Sequence, residues 1–340
     1  MNDPVLETLC LPLESGDVLP PADGPVLFLR ARYSGELAVL PRDAWLCDQS
    51  FRPDHDALAR QGFALREGEA KGEDGTQYGL TCVLPPRQRE EYRALLARAI
   101  LDTRTDGIVL AAVSNLEGAK TVENELKALC GNVTSLSKNK CRAFWAHVGA
   151  GIDRELVAEW AKLDAPREVA SGLVSRPGLF AWDRIDAGSR MLADHLPQLS
   201  GRGADLGSGV GFLAREVLQR CKNVSHMTLF EAEARALPLA RQNLAAFDGR
   251  CDFHWHDVSK GMTGPFDFIV SNPPFHTSRA DRHDLGQGFI RAAAGALDKG
   301  GALWMVANRH LPYEETLKAA FRTVLTVAEN GQYKVFRGIK

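Results

Sequence analysis

The chain has 340 residues, 45% of them apolar and 25% charged, the balance of an ordinary globular protein rather than a disordered or collagen-like one. Lys and Arg total 41 against 43 Asp and Glu, a formal charge of −2, which excludes a bulk polycation that coats nucleic acid but not a local basic patch. No run of about 18 apolar residues occurs. The opening MNDPVLETLCLPLESGD has acids and prolines where a signal peptide needs a basic start and an apolar stretch, so a cytoplasmic protein is expected.

At about 100–200 residues per domain, the length suggests two domains. In the first half, Gly79–Leu84 reads as a strand, followed by Pro85-Pro86 and a helix from Arg89 to Leu101. Gly107–Val113 is the next strand and Thr121–Leu129 the next helix, with a basic knot at Lys138, Lys140 and Arg142. Residues 164–178, rich in Pro, Gly and Ser, read as a linker between domains 1–163 and 179–340. In the second half, strands are expected at Gly203–Leu206, His226–Phe230, Cys251–His256, Phe266–Val270 and Ala302–Ala307. Helices are expected at Phe212–Cys221, Ala232–Ala246, Gln287–Leu297 and Tyr313–Phe321. This alternation predicts an α/β fold with a mainly parallel, doubly covered sheet. Val324–Ala328 and Tyr333–Arg337 are joined by Glu329-Asn-Gly-Gln332, a hairpin signal that brings the last strand in antiparallel. The seven cysteines are scattered, with no CxxC pair, and read as small buried hydrophobes; structural zinc is not expected.

The two halves share one order of elements. Pro85-Pro86 matches Pro273-Pro274, Asn115 matches Asn308, and Lys140 matches Lys334. We read this as an internal duplication of one α/β domain. The first copy has Leu84 where Asn272 stands and no Gly-rich loop.

Chemistry concentrates at two places. Asp205-Leu-Gly-Ser-Gly-Val-Gly211 lies between a strand and a helix, and its glycines at 207, 209 and 211 let a ligand approach the backbone. Glu231 ends the next strand, where an acid can accept from both hydroxyls of a ribose. Asp205 beside the loop would repel a pyrophosphate and suits a ligand with a cationic amino group. The second place is Asn272-Pro-Pro-Phe275 at the end of the fourth strand. Asn272 offers a carbonyl acceptor, the rigid Pro-Pro aims backbone carbonyls into the cleft, and Phe275 offers a face on which a base can stack. Two acceptors and a ring suit a planar exocyclic amine. His254, His256 and Asp257 lack a further ligand at suitable spacing, so no metal is expected.

These runs resemble class I S-adenosylmethionine-dependent methyltransferases, and among them the RsmC family of bacterial 16S ribosomal RNA guanine-N2 methyltransferases. The matching runs also include Pro177-Gly-Leu-Phe180 with Asp183, Asp186-Ala-Gly-Ser189, Ala307-Asn308 with Leu311-Pro-Tyr313, and Gly331–Arg337. The resemblance implies two tandem Rossmann-like domains, the first degenerate, without a cofactor site and serving folding or RNA docking. The second would hold a seven-stranded sheet and the catalytic site. By the same resemblance the cofactor is S-adenosylmethionine, held by Asp205, Gly207, Ser208, Gly209, Gly211, Glu231, Asp257, Val258 and Asn272. The Phe180–Ser189 segment would close over it. Asn272, the Pro273 carbonyl and Phe275 would hold the guanine, while Pro274, His276, Arg279, Arg309 and Lys334 would contact the RNA. The implied partner is ribosomal RNA or the small ribosomal subunit, met by a monomer without a membrane. Another planar amine (a large-subunit guanine N2, adenine N6 or protein glutamine) and a non-catalytic RNA-binding role are the alternatives.

Overall fold

The computed structural model describes residues 3–66, 77–169, 172–274 and 279–340. The chain divides into two compact units, Met1–Ala165 and Pro166–Lys340, each built on a seven-stranded sheet.

In the first unit the strands are β1 (Val26–Leu29), β2 (Trp45–Asp48), β3 (Ala64–Leu65), β4 (Tyr78–Val83), β5 (Thr103–Ser114), β6 (Thr134–Lys138) and β7 (Cys141–His147). The helices are α1 (Pro4–Ser15), α2 (Arg52–Arg60), α3 (Arg89–Asp102), α4 (Ala119–Cys130) and α5 (Arg154–Trp160). The spatial order is β3-β2-β1-β4-β5-β7-β6, and β7 runs antiparallel to both of its neighbours. All four residues of β1 are buried, as a central parallel strand covered on both faces requires.

The segment expected as a linker carries a short antiparallel pair, β8 (Arg167–Glu168) and β9 (Val174–Ser175). The Asn243 side chain ties it to the second unit: its Oδ1 accepts from the Val174 N–H at 2.7 Å, and its Nδ2 donates to the Val174 carbonyl at 2.9 Å. The rest of that unit runs α6 (Ala187–His195), β10 (Ser200–Leu206), α7 (Phe212–Arg220), β11 (Asn223–Glu231), α8 (Leu237–Asn243), β12 (Cys251–Trp255), β13 (Phe266–Ser271), α9 (Arg279–Ala296), β14 (Leu297–Asn308), α10 (Glu314–Ala320), β15 (Thr323–Glu329) and β16 (Tyr333–Ile339). The order β12-β11-β10-β13-β14-β16-β15 repeats that of the first unit, and β16 is antiparallel to β14 and β15. Two large apolar clusters, with a smaller one at Leu179, Ala236 and Leu239, fill the unit among the described residues. One includes Leu213, Leu229 and Val270, the other Leu206, Ile269 and Ile290.

Two helices differ from the sequence expectation. The span Ala232–Ala246 holds only α8, flanked by 3-10 turns at Ala234–Ala236 and Ala245–Phe247, because Pro238 fits only the first turn of a helix. Conversely, α9 starts before Gln287 and runs through Gly286 and Gly288, whose helix propensity is poor. Packing decides there: a Cβ at Gly286 would collide with the Tyr313 ring, which is fully buried.

The pairing register corrects the duplicated alignment by one or two positions. β5 pairs with β4, and β14 with β13, so that Ser114 falls opposite Asn308 in the repeat and Asn115 opposite Arg309. Both copies make the same closing bond at 2.8 Å, from Asn115 N–H to the Lys140 carbonyl and from Arg309 N–H to the Gln332 carbonyl. Arg142 therefore matches Lys334. Leu84 does correspond to Asn272, each following the strand beside β1 or β10.

Gly203 sets how closely β10 approaches its neighbours. An ideal Cβ there would stand 2.6 Å from Met227 Sδ and closer still to the Phe268 ring. Gly203→Ala is expected to cost about 1–3 kcal/mol by overpacking, read as a lower denaturant midpoint with an unchanged slope.

Candidate active site

The strand order reverses at β10: β11 and β12 lie on one side of it, β13 and β14 on the other. At such a reversal the loops beyond the strand ends part and leave a crevice. Asp205 and Leu206 end β10, and Asn272 follows β13 in the adjacent position, with Leu206 paired to Ser271. The Ser271 hydroxyl donates to the Leu206 carbonyl at 2.8 Å and clamps the two strand ends together.

The Gly-rich turn begins there. Gly207 and Ser208 N–H groups donate to the Phe230 carbonyl at 2.8 and 3.2 Å. Gly207, Gly209 and Gly211 have φ of 70°, 53° and 85°, in the left-handed region that a side chain disfavours. Around Gly209 a Cβ would meet nothing within 4 Å, so the backbone is open on that side. Gly211 opens α7 and packs against Leu244.

Asp205 is fully buried. Its Oδ2 accepts from the Ala214 N–H at 3.1 Å, and its Oδ1 has no partner. Burial, reinforced by the charge of Glu231, pushes its carboxyl up to about 7. Ser208 Oγ is likewise buried without a partner. Glu231 accepts from the Gly209 N–H at 2.7 Å and from the Glu233 N–H at 2.8 Å, one on each oxygen. Desolvation pushes its carboxyl up against the pull of those donors. It thus braces the Gly turn while each oxygen keeps a lone pair for a further donor. Asp257 is buried, and one of its oxygens accepts from the Ser259 N–H at 3.0 Å and hydroxyl at 2.6 Å. Val258 beside it is buried.

Asn272 is held more tightly than its sequence motif suggests. Its Nδ2 donates to Asp186 Oδ1 at 2.8 Å and to Ser189 Oγ at 2.7 Å. Its Oδ1 is buried and unpartnered. The Asp186-Ala-Gly-Ser189 run, read in the sequence as part of a cover over the cofactor, therefore also grips the catalytic candidate. Pro273 is buried and Pro274 exposed. Phe275 and His276 lie outside the described residues, as does the side chain of Arg279.

The remaining cationic candidates are engaged with acids. Arg309 pairs with Glu329 at 2.8 Å, and Lys334 with Glu314 at 2.7 Å. In the first unit Lys138 pairs with Glu7 at 3.4 Å and Arg142 with Glu123 at 2.9 Å, and Lys138 and Lys140 are both exposed. His256 Nε2 meets the Gly261 carbonyl at 2.7 Å and His254 stacks on Phe230; among the described residues no group of three or more His, Cys, Asp or Glu is placed to hold a metal ion.

A doubly wound sheet with an antiparallel strand beside β14, a Gly-rich turn after β10 and an Asn-Pro-Pro turn after β13 defines a methyltransferase of the Rossmann-like class. The methyltransferase small domain family model matches residues 170–337. Ribosomal RNA small subunit methyltransferase C of Shewanella amazonensis is 31% identical over 291 residues, covering 83% of each chain. The protein of the same name from Shewanella sediminis is 27% identical over 282 residues, 82% of this chain and 81% of that one. The chain belongs to this ribosomal RNA small subunit methyltransferase C family. Among solved structures, the 16S rRNA N2 methyltransferase (RsmC) of T. thermophilus in complex with AdoMet and guanosine shares the fold, with a TM-score of 0.82 and 22% identity, covering 100% of this chain and 92% of that one. Among the described residues no helix is long and apolar enough to cross a membrane.

The cofactor of this class is S-adenosylmethionine. The donor set fits it: the lone Asp205 oxygen and the lone Ser208 hydroxyl suit an ammonium group, and Glu231 retains lone pairs for ribose hydroxyls.

Proposed function

We propose that the chain methylates the exocyclic N2 amine of a guanine in 16S ribosomal RNA, using S-adenosylmethionine bound in the second unit. The observation that carries this reading is the buried, unpartnered Oδ1 of Asn272, one strand away from the equally unpartnered Oδ1 of Asp205. A buried acceptor without a donor is costly unless a ligand supplies one. An amine N–H supplies it.

In this reading Asp205, Gly207, Ser208, Gly209 and Gly211 cradle the methionine end, Glu231 holds the ribose, and Asp257 with Val258 borders the adenine. The cofactor supplies an already activated methyl group. What the chain must do is orient the acceptor. The guanine amine is a poor nucleophile because its lone pair is delocalised into the ring. Asn272 Oδ1 and the Pro273 carbonyl accept its two N–H groups, draw them out of conjugation and turn the lone pair toward the methyl. Alignment and fixed dipoles in place of water provide the rate. Phe275 stacks on the base, and Pro274, His276, Arg279, Arg309 and Lys334 border the RNA. Every residue of the site comes from one unit of one chain, which is consistent with a monomer. The first unit serves folding or RNA docking.

The test is to incubate the protein with labelled S-adenosylmethionine and 16S rRNA or small subunits, then digest to nucleosides. N2-methylguanosine is expected; label only in another nucleoside or in protein overturns the reading. Calorimetry with S-adenosylmethionine should give one site per chain, because the turn after β1 carries Arg30 and Arg32 where the second unit has its glycines. Two sites would refute the division of labour.

A further inference from the structure

An amide can present either end to a ligand, and the two ends have opposite chemistry: the NH2 donates, the carbonyl accepts. At Asn272 the choice is made by the chain itself. Asp186 Oδ1 lies 2.8 Å from Nδ2, and a carboxylate only accepts. Ser189 Oγ takes the second N–H at 2.7 Å. Both hydrogens are thus spent, and Oδ1 alone is left without a partner.

The grip is itself fixed. The same Asp186 oxygen accepts the Ser189 N–H at 2.8 Å as the N-cap of α6. Gly188 lets the turn close: a Cβ there would come 3.0 Å from Tyr333 Cε1 and 3.1 Å from Asp186 Oδ1. The Tyr333 ring therefore packs against the first turn of α6 and keeps Asp186 beside Asn272. Ser189 is buried, so water competes poorly for its hydroxyl.

We infer that Asp186 and Ser189 are positioning residues that lock the Asn272 amide with its carbonyl oxygen toward the target, and that this fixed polarity restricts the site to targets presenting an N–H. The inference rests on the proposed role of Asn272 in holding the methyl-accepting amine. A freely rotating amide would accommodate a keto edge by turning its NH2 outward. The locked one meets a keto oxygen with a lone pair, and mismatched buried polar groups discriminate strongly. Each amide hydrogen bond to an ionised acceptor also polarises the carbonyl and strengthens it as an acceptor.

Three variants test this. Asp186→Asn keeps a good N-cap for α6 but can offer either end of its own amide, so the lock is lost. Its kcat on RNA is expected to fall on the order of 10–100-fold, with KM for RNA and the dissociation constant of S-adenosylmethionine within about twofold of wild type. Ser189→Ala leaves the cap side chain in place and is expected to lower kcat in the same direction by less. The exchanged pair Asp186→Asn with Asn272→Asp restores an acceptor facing the target and a donor behind it. It is expected to exceed the kcat of both single variants, which a mere capping role for Asp186 would not produce. A measurement without RNA or cofactor reads the lock directly: exchange of the Asn272 side-chain N–H protons with solvent, assigned by their loss in Asn272→Ala, should be slower in wild type than in Asp186→Asn or Ser189→Ala.

Equal exchange rates in wild type and both single variants overturn the inference, as do kcat values of both within about twofold of wild type, or an exchanged pair no better than its singles. If wild type puts no methyl on guanine N2, the proposed function fails instead, while the exchange measurement still decides whether the amide is locked.

Discussion

Replacing Asn272 with Ala is expected to lower turnover by about 100–1,000-fold while leaving the affinity for S-adenosylmethionine nearly unchanged. The magnitude is that of removing one oriented hydrogen-bond partner of the reacting group from a water-poor site. The separation of the two effects follows from geometry. Asn272 Oδ1 has no protein partner, and Nδ2 faces Asp186 and Ser189 rather than the Gly turn. The Asn272 backbone carbonyl stands 4.0 Å from where a Cβ on Gly207 would be, and Ala keeps that carbonyl. The substitution does leave Asp186 and Ser189 each short of one donor, for which about 1–3 kcal/mol of stability is the usual cost. Asp186 keeps the Ser189 N–H, so α6 stays capped. Single-turnover rates and calorimetry on a variant with a native circular dichroism spectrum check the result. Near-normal turnover would remove Asn272 from the proposed role.

The parts of this site that were legible in the sequence are those whose chemistry is written in the backbone. Glycines at 207, 209 and 211 are needed because the turn runs through positive φ. Asn272-Pro-Pro is visible because proline fixes its own conformation and that of its neighbour. The lock on Asn272 was not legible as such. Asp186-Ala-Gly-Ser189 reads locally as an N-cap, which it is. Its second role depends on a partner 86 residues away, brought beside it only by the sheet. The same blindness to long-range pairing hid the acids beside Arg309 and Lys334, since β15 and α10 place Glu329 and Glu314 against them. It also displaced the duplicated alignment, since Asn115 and Asn308 look alike but only the pairing register shows that Ser114 is the true counterpart of Asn308. In the first unit, β1 and β2 escaped notice because each has only four residues and 3-10 turns, not a regular helix, connect them.

Cofactor affinity should depend on pH through Asp205, and the direction is fixed by the burial of that carboxyl. In the free protein its value is pushed up to about 7, so below that pH the group carries a proton. A cationic amino group binds the ionised form, and the proton must leave first. The association constant is therefore expected to rise about tenfold per pH unit on the acid side of 7 and to level off above it. Asp205→Asn should abolish that slope and weaken binding by an order of magnitude or more at pH 8, because a neutral amide replaces the charge. Stability should move the other way. The folded value lies above the ordinary carboxylate value of about 4, so the native state binds the extra proton between roughly pH 4 and 7. Stability from this group is therefore present at low pH, is lost as pH rises through 7, and stays lost above it. Glu231, also raised by burial, contributes with the same sign. Asp205→Asn should accordingly melt at a higher temperature than wild type at pH 8, with the difference shrinking toward pH 4. A variant that binds S-adenosylmethionine as tightly as wild type at pH 8 would exclude Asp205 from the cofactor site. One that melts no higher there would show that the buried carboxylate is stabilised by a partner other than the Ala214 N–H.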